Sequence, residues 1–296
     1  MWHKIPTRLM FHLFKKTNKF LHGTGLGKLP GIQSTYWFLY RHLKPSGIVL
    51  IEVHGHKMYL DPLDRITSAL FFSDVYEKYQ TNLFISLVKR GMVVVDIGAH
   101  IGYYTLLAAD LVGEEGKVFA FEPNPDSYTL LVKNIEINGY NNIFPVQKAI
   151  SNKTGSAKLF LGPHYNRGDS RLYDSHDGRE SIEVDVTTLD SYFGKDCQVD
   201  LIKMDIQGAE AGALQGMANV IEKNDNLKLI TEYWPAGLQR FGSSPMDFLD
   251  KLMEHGFKLY HVDERGQRIC PISAITSVTR TANDEEFTNL FCEKGQ

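Results

Sequence analysis

Asp96, Gly98 and Gly102 stand in the stretch "VVVDIGAHIGYYTLLAA" (93–109), where three β-branched residues run into an acid and two glycines precede a helical pattern. A strand ending there delivers a carboxylate and bare backbone to its carboxyl edge, just where a helix begins. A second acid, Glu122, closes "KVFAFEPN", 24 residues after Gly98. An acid at that spacing can accept both hydroxyls of a ribose. Two further strand-like runs end in acids. "DLIKMDIQGAE" carries Asp205, with Lys203 before it and Glu210 after it, and "LKLITEYWP" carries Glu232. A lysine inside an apolar strand calls for an acidic partner. Glu210 falls in the first turn of the next helix, where a carboxylate suits the positive helix dipole, an adequate account of it taken alone. Carboxylates delivered by two neighbouring strands suit either of two roles. One can be a general base toward a hydroxyl, oriented by Lys203 or Glu210, or Asp205 and Glu232 can together hold a magnesium ion.

The glycine loop decides which nucleotide fits. A dinucleotide site wants G-x-G-x-x-G, with bare backbone beneath a pyrophosphate. Here Gly98-Ala99-His100-Ile101-Gly102 puts His100 at that place, and Asp96 would repel the anion. No GK[ST] follows, which excludes a P-loop. A ligand with a cationic end and no phosphate suits these residues better, and S-adenosylmethionine (SAM) has a sulfonium, an ammonium and no phosphate. Pro123 and Asn124 would form one wall of its nucleoside pocket. Ala149 and Ile150, in "KAIS", would cover the adenine, although two apolar residues after a strand also suit a core.

The elements that must position these groups follow from the pattern. Strands are expected at Val93–Ile97, Val118–Phe121, Ile143–Val146, Leu201–Met204, Leu227–Thr231 and Phe257–Val262, and helices at Gly102–Leu111, Ser127–Asn138, Ala209–Lys223 and Met246–His255. Such alternation implies a parallel sheet wrapped by helices, with ligands at the carboxyl ends of its strands. "SNKTGSAKLFLG" and "SIEVDV" read as partnered strands around a polar segment, 163–180, long enough to be functional or disordered. Ahead of the sheet, 48–61 reads as a hairpin and 68–91 as helical.

In this order, "VVVDIGAHIGYYTL", "FAFEPNP", "VTTLDSY", "LIKMDIQGAE" and "ITEYWP" resemble the FkbM family of SAM-dependent methyltransferases, over roughly residues 48–292 and including "MYLDPLD" and "YEKYQ". The resemblance implies a Rossmann-like class I fold, a seven-stranded, mostly parallel sheet with helices on both faces. Its antiparallel last strand would come from "FTNLFCEK". It also implies methylation of hydroxyl groups on sugars or other small molecules. Asn166, Gly168 and Ser170 are similar to the family's N-x-G-x-S pattern, which implies ligand contact in a loop that orders around the acceptor. The chain departs from the family in His100, often Asn there, and in Gln207, often Glu, which removes an acid from the catalytic edge.

Composition bounds the rest. The 296 residues, 43% hydrophobic, suffice for a large domain with an extension. We expect a basic helical arm over 1–47, a hairpin and helices over 48–91, and the SAM-binding domain over 92–296. Residues 1–51 hold eight of the 32 basic residues and none of the 35 acidic ones. A basic amphipathic stretch over 1–22 suits a helix capping the domain or one lying on an anionic membrane. Three scattered cysteines, Cys197, Cys270 and Cys292, argue for a reducing compartment, hence a cytoplasmic protein, peripheral on the inner membrane face if the arm binds lipid. Neither (N/D)PP(Y/F) nor a Pro-Cys pair occurs, so methylation of nucleic-acid bases is not expected. Two other readings remain open: a non-catalytic SAM-binding or membrane-tethered scaffold, and an NAD-dependent oxidoreductase, which His100 and Asp96 disfavour.

Overall fold

The structure is a computed structural model that describes residues 47–64, 69–70, 75–194, 198–272 and 287–294. The basic arm, apart from Gly47, and Cys197 lie outside the described residues. These residues form two compact units. One runs up to Tyr76 and takes in His164–Asn166, and the other holds Glu77–Pro163 and the chain from Arg167 onward. In the first unit, β1 (Val49–Val53) and β2 (His56–Leu60) pair antiparallel as the expected hairpin. Among the described residues no helix is long and apolar enough to cross a membrane.

The second unit is built on an eight-stranded sheet. Its strands are β3 (Val93–Ile97), β4 (Lys117–Phe121), β5 (Ile143–Val146), β9 (Leu201–Met204), β10 (Lys228–Tyr233), β11 (Phe257–Asp263), β12 (Arg268–Pro271) and β13 (Thr288–Lys294). Their order is β12-β11-β13-β10-β9-β3-β4-β5. β13, from "FTNLFCEK", runs antiparallel between β10 and β11 as expected. Seven strands were expected and the eighth is β12, which folds back antiparallel on β11 at the sheet's edge.

The order reverses between β3 and β9. From β3 the chain steps outward through α2 (Tyr103–Val112) to β4, then through α3 (Pro125–Asn138) to β5. It returns beside β3 as β9 and steps the other way through α5 (Glu210–Gln215) and α6 (Ala218–Lys223) to β10. Because parallel crossovers are right-handed, the two sets of helices cover opposite faces. Both faces being covered, the central strands read as near-continuous apolar runs, and every residue of β9, Lys203 included, is buried.

The helix expected over Ala209–Lys223 is two helices. The break falls at Gly216, where a side chain would overlap the Ser151 carbonyl. Of the stretch 68–91 expected to be helical, residues 69–70 and α1 (Lys78–Leu87) are helical, and Val75–Glu77 between them is not. A smaller sheet joins β6 (Ala149–Ile150), β8 (Ser181–Thr187) and β7 (Gly155–Phe160), β7 and β8 being the partnered strands of the sequence pattern. Two short helices, α4 (Leu189–Phe193) and α7 (Pro235–Phe241), and the longer α8 (Pro245–Glu254) complete the unit.

Candidate active site

At the reversal point β3 and β9 lie in register, Asp96 opposite Lys203 and Ile97 opposite Met204. The chain beyond each strand turns sharply at the carboxyl edge. Gly98 adopts φ 82, and a Cβ there would strike the Asp205 carbonyl oxygen, so only glycine lets the two loops touch. A cleft opens beside this contact. Gly98, His100, Glu122, Pro123, Ala149, Ile150, Gly168, Ser170 and Asp205 border it, all of them expected site residues. The space enclosed between these walls is narrow, and the cleft is partly open to solvent at its mouth.

Glu122 is buried, and its orientation is fixed by backbone. Oε2 accepts the His100 N–H at 2.8 Å and Oε1 the Asn124 N–H at 2.8 Å. A carboxylate has about four acceptor positions, so each oxygen keeps one for a ligand. Burial pushes this carboxyl up to about 7, against the pull of the two N–H donors.

Three expected cofactor residues do not border the cleft. Asp96 is buried and accepts the Thr105 hydroxyl of α2 at 2.6 Å. Burial raises its pKa, and Lys203 opposes that rise. Side chains alternate across a strand, so Asp96 faces α2 while Ile97 faces the cleft. Asn124 caps α3 instead, accepting the Asp126 N–H at 3.0 Å, and its Nδ2 donates to Ser170 Oγ at 3.2 Å. Gly102 starts α2 at φ 93, where a Cβ would press on Leu131 at 2.8 Å. Of the polar segment, Gly168 and Ser170 reach the cleft, while Asn166 belongs to the other unit. The segment is braced internally. Asp169 pairs with Arg171 at 2.6 Å and with Arg179 at 2.8 Å, and the Arg171 guanidinium lies 4.8 Å from the centre of the Trp234 ring.

On the β9–β10 edge, Lys203 has the acidic partner its position demands. Its Nζ is 3.2 Å from Asp205 Oδ2 and 5.0 Å from the centre of the Tyr104 ring. Burial opposes the lysine's charge, but Asp205, Asp96 and Glu77 outweigh it and hold the pKa above the ordinary value. Asp205 and Glu232 are brought together by Gln207, whose Nε2 donates to Asp205 Oδ1 at 2.9 Å and to Glu232 Oε2 at 3.1 Å. Burial, then Asp205 and Glu210, push Glu232 well above the carboxylate range. Glu210 does not orient Asp205. Its carboxylate accepts the Ile206 and Gly208 N–H groups at 3.0 and 2.9 Å, the cap that its place in the helix suggests. Among the described residues no group of three or more His, Cys, Asp or Glu side chains is arranged to hold a metal ion.

Sequence reasoning missed Gln207 as a donor, and it missed Glu77. Glu77 precedes α1 in a left-handed conformation (φ 43, ψ 71) and does not cap that helix. Glu264, from the β11–β12 turn, does so in its place, accepting the Tyr79 and Gln80 N–H groups at 2.7 and 3.0 Å. The Glu77 carboxylate instead accepts Gln80 Nε2 at 2.6 Å, and that nitrogen also donates to the Tyr104 hydroxyl at 3.0 Å. Burial and the nearby Asp205 push Glu77 up to about 7. The only signal in the sequence was the "YEKYQ" stretch itself.

Two expectations follow. Glu264→Ala removes the cap of α1 and should cost about 1 kcal/mol of stability, read as a lower denaturation midpoint with an unchanged slope. Glu122 and Glu77 hold protons more tightly in the folded protein than in the unfolded chain. Their contribution to stability is therefore full below the ordinary carboxyl value and is lost as the pH rises through about 7. The ligand-free melting temperature should fall between pH 5 and pH 8, and a rise over that interval would contradict these assignments.

The strand order, reversal point and antiparallel β13 are those of class I methyltransferases, with β12 added. The family model described as the methyltransferase FkbM domain matches residues 96–259, and the chain belongs to that family. It is 25% identical over 140 residues to the hexuronic acid methyltransferase AglP of Haloferax volcanii, covering 47% of this chain and 56% of that protein. The chain thus spans little more than half of that relative. It is 26% identical over 211 residues to methyltransferase sdnD of Sordaria araneosa, covering 60% of this chain and 79% of that one. A SAM-dependent O-methyltransferase from Thermotoga maritima aligns in structure with a TM-score of 0.43 and 17% identity, over 85% of this chain and 78% of that one.

Proposed function

We propose that the chain transfers a methyl group from SAM to a hydroxyl of a sugar, glycan or other small molecule. The observation that carries this reading is the position of Asp205. It is the one acid of the β9–β10 edge that borders the cleft, and Glu122 borders the same cleft.

The cleft's residues suit SAM. Glu122 has acceptor positions left for two ribose hydroxyls, Ala149, Ile150 and Phe121 give an apolar wall for a base, and Gly98 leaves backbone bare. When bound, SAM supplies a methyl group already activated on a sulfonium. The protein must then align an acceptor, exclude water and take one proton. Asp205 takes the proton from the acceptor hydroxyl as that oxygen becomes an ether oxygen. Lys203 and Gln207 hold the two Asp205 oxygens while it does so.

The Haloferax relative's description makes hexuronic acids the first acceptors to try. The test incubates the protein with SAM and a panel of hexuronic acids, neutral hexoses and their glycosides, and measures S-adenosylhomocysteine. Methyl transfer to a hydroxyl leaves an alkali-stable ether, whereas transfer to a carboxylate leaves an ester that alkali cleaves. An alkali-labile product would refute hydroxyl transfer. Tight SAM binding with no product on any acceptor would favour the non-catalytic reading.

A further inference from the structure

Glu232 is buried and Asp205 half-buried, and two acids at the ends of neighbouring strands repel one another when both are charged. A fold that keeps them together must place a proton, a cation or a donor between them. Between Asp205 and Glu232 the structure places Gln207. One nitrogen serves both acids, at 2.9 Å to Asp205 Oδ1 and 3.1 Å to Glu232 Oε2. The second oxygen of Asp205 is taken by Lys203 at 3.2 Å. A divalent cation joining the same carboxylates would have to take the place that the amide nitrogen holds between these two oxygens. An amide NH2 group has two donors and no free acceptor. Held this way the nitrogen donates to both acids, and the amide oxygen, the one atom of this side chain able to ligate a cation, is not the atom between them.

The backbone is shaped to deliver this group. Gln207 has φ 56, a left-handed conformation uncommon for a residue with a Cβ. Gly208 follows at φ 105, so close to Gly237 that a Cβ would lie 2.6 Å from its carbonyl. The carboxylate of Glu210 holds the N–H groups on both sides of Gln207, those of Ile206 and Gly208. The turn is therefore held by hydrogen bonds to the backbone on both sides of Gln207.

We propose that Gln207 is a positioning residue that stands in for a divalent cation between Asp205 and Glu232, so that the acceptor edge is held without a metal. Its purpose rests on the methyltransferase reading, but its geometry does not.

The test titrates MnCl2 into the full-length wild-type protein and Gln207→Glu. Free Mn2+ is followed by its electron paramagnetic resonance signal, and SAM affinity is measured by calorimetry on the same samples. Gln207→Glu keeps the shape but turns the donor into a third carboxylate. It should gain a Mn2+ site at least about ten-fold tighter than any in the wild type, and adding Asp205→Asn should remove it. A merely structural role for Gln207 would alter stability without creating an ion site. Wild-type Mn2+ uptake that Asp205→Asn abolishes would overturn the proposal, and this arm holds even if Gln207→Glu fails to fold. No gain of Mn2+ binding in a folded Gln207→Glu protein would overturn it as well. Failure of the wild type to bind SAM would instead count against the methyltransferase reading and leave the ion result standing.

Discussion

Asp205→Asn should lower methyl transfer by a factor on the order of 10² or more while SAM still binds. Asparagine keeps the side chain's shape, and its carbonyl oxygen can still accept from Gln207 Nε2. What is lost is the charge, and with it the capacity to take a proton from the acceptor. The surroundings should respond in a definite direction. Asp205 is the strongest of the groups raising the Lys203 pKa against burial, so without it the ammonium gives up its proton more readily. Asp205 also raises Glu232 after burial itself, so Glu232 becomes more acidic in the variant. That leaves Glu232 as a substitute base, but it does not border the cleft and is held through Gln207. Glu232→Gln should therefore impair turnover less than Asp205→Asn. The check is single-turnover kinetics on an acceptor from the panel, with SAM affinity measured in parallel. EDTA should leave the wild-type rate unchanged. Wild-type rates in both variants would show that the chemistry lies elsewhere.

The ordering of these acids was legible because the strands were. Val93–Ile97, Ile143–Val146 and Leu201–Met204 are mostly apolar runs between turn residues, broken by charge only at Asp96 and Lys203, and each is a strand with those bounds. Strands covered on both faces carry that pattern, and an acid after such a run can only lie on the carboxyl edge. Elements set by long-range packing were not legible. α4 and α7, of five and seven residues, are too short to show a helical period. β12, "RICP", is mostly exposed and lacks alternation. The break falls at Gly216, which passes against a carbonyl 65 residues away, at Ser151, a contact no local pattern announces. The site divides in the same way. Residue type and strand position suggested Asp205, Glu232 and Glu122. The left-handed turn that aims Gln207 between two acids, and the capping of α1 by Glu264, exist only once distant segments meet. Asp96 stands apart from the cleft for a different reason. The period-two alternation that places Ile97 on the cleft already sends Asp96 to the opposite face, beside Lys203, its partner in the strand register.

Glu122→Ala should weaken SAM binding by roughly 1.5–3 kcal/mol, the worth of hydrogen bonds to a charged acceptor, or on the order of ten- to a hundred-fold in Kd. The same substitution strips the His100 and Asn124 N–H groups of their acceptor, so it also costs stability. The two losses separate by measurement: SAM affinity is taken from calorimetry well below the variant's melting temperature, and stability from denaturation without ligand. Glu122→Gln gives a finer cut. Its amide oxygen can still accept one backbone N–H, while its NH2 faces the other as donor against donor, so the loop around His100 or Asn124 must shift. The pH dependence adds a second signature. With the free carboxyl near 7, the form with all acceptor positions open loses population as the pH falls below that value. Wild-type SAM affinity should then drop by up to about ten-fold per unit below pH 7, and Glu122→Ala should lose this dependence along with the affinity. A folded Glu122→Ala protein that binds SAM as tightly as the wild type, with the same pH dependence, would place the cofactor elsewhere.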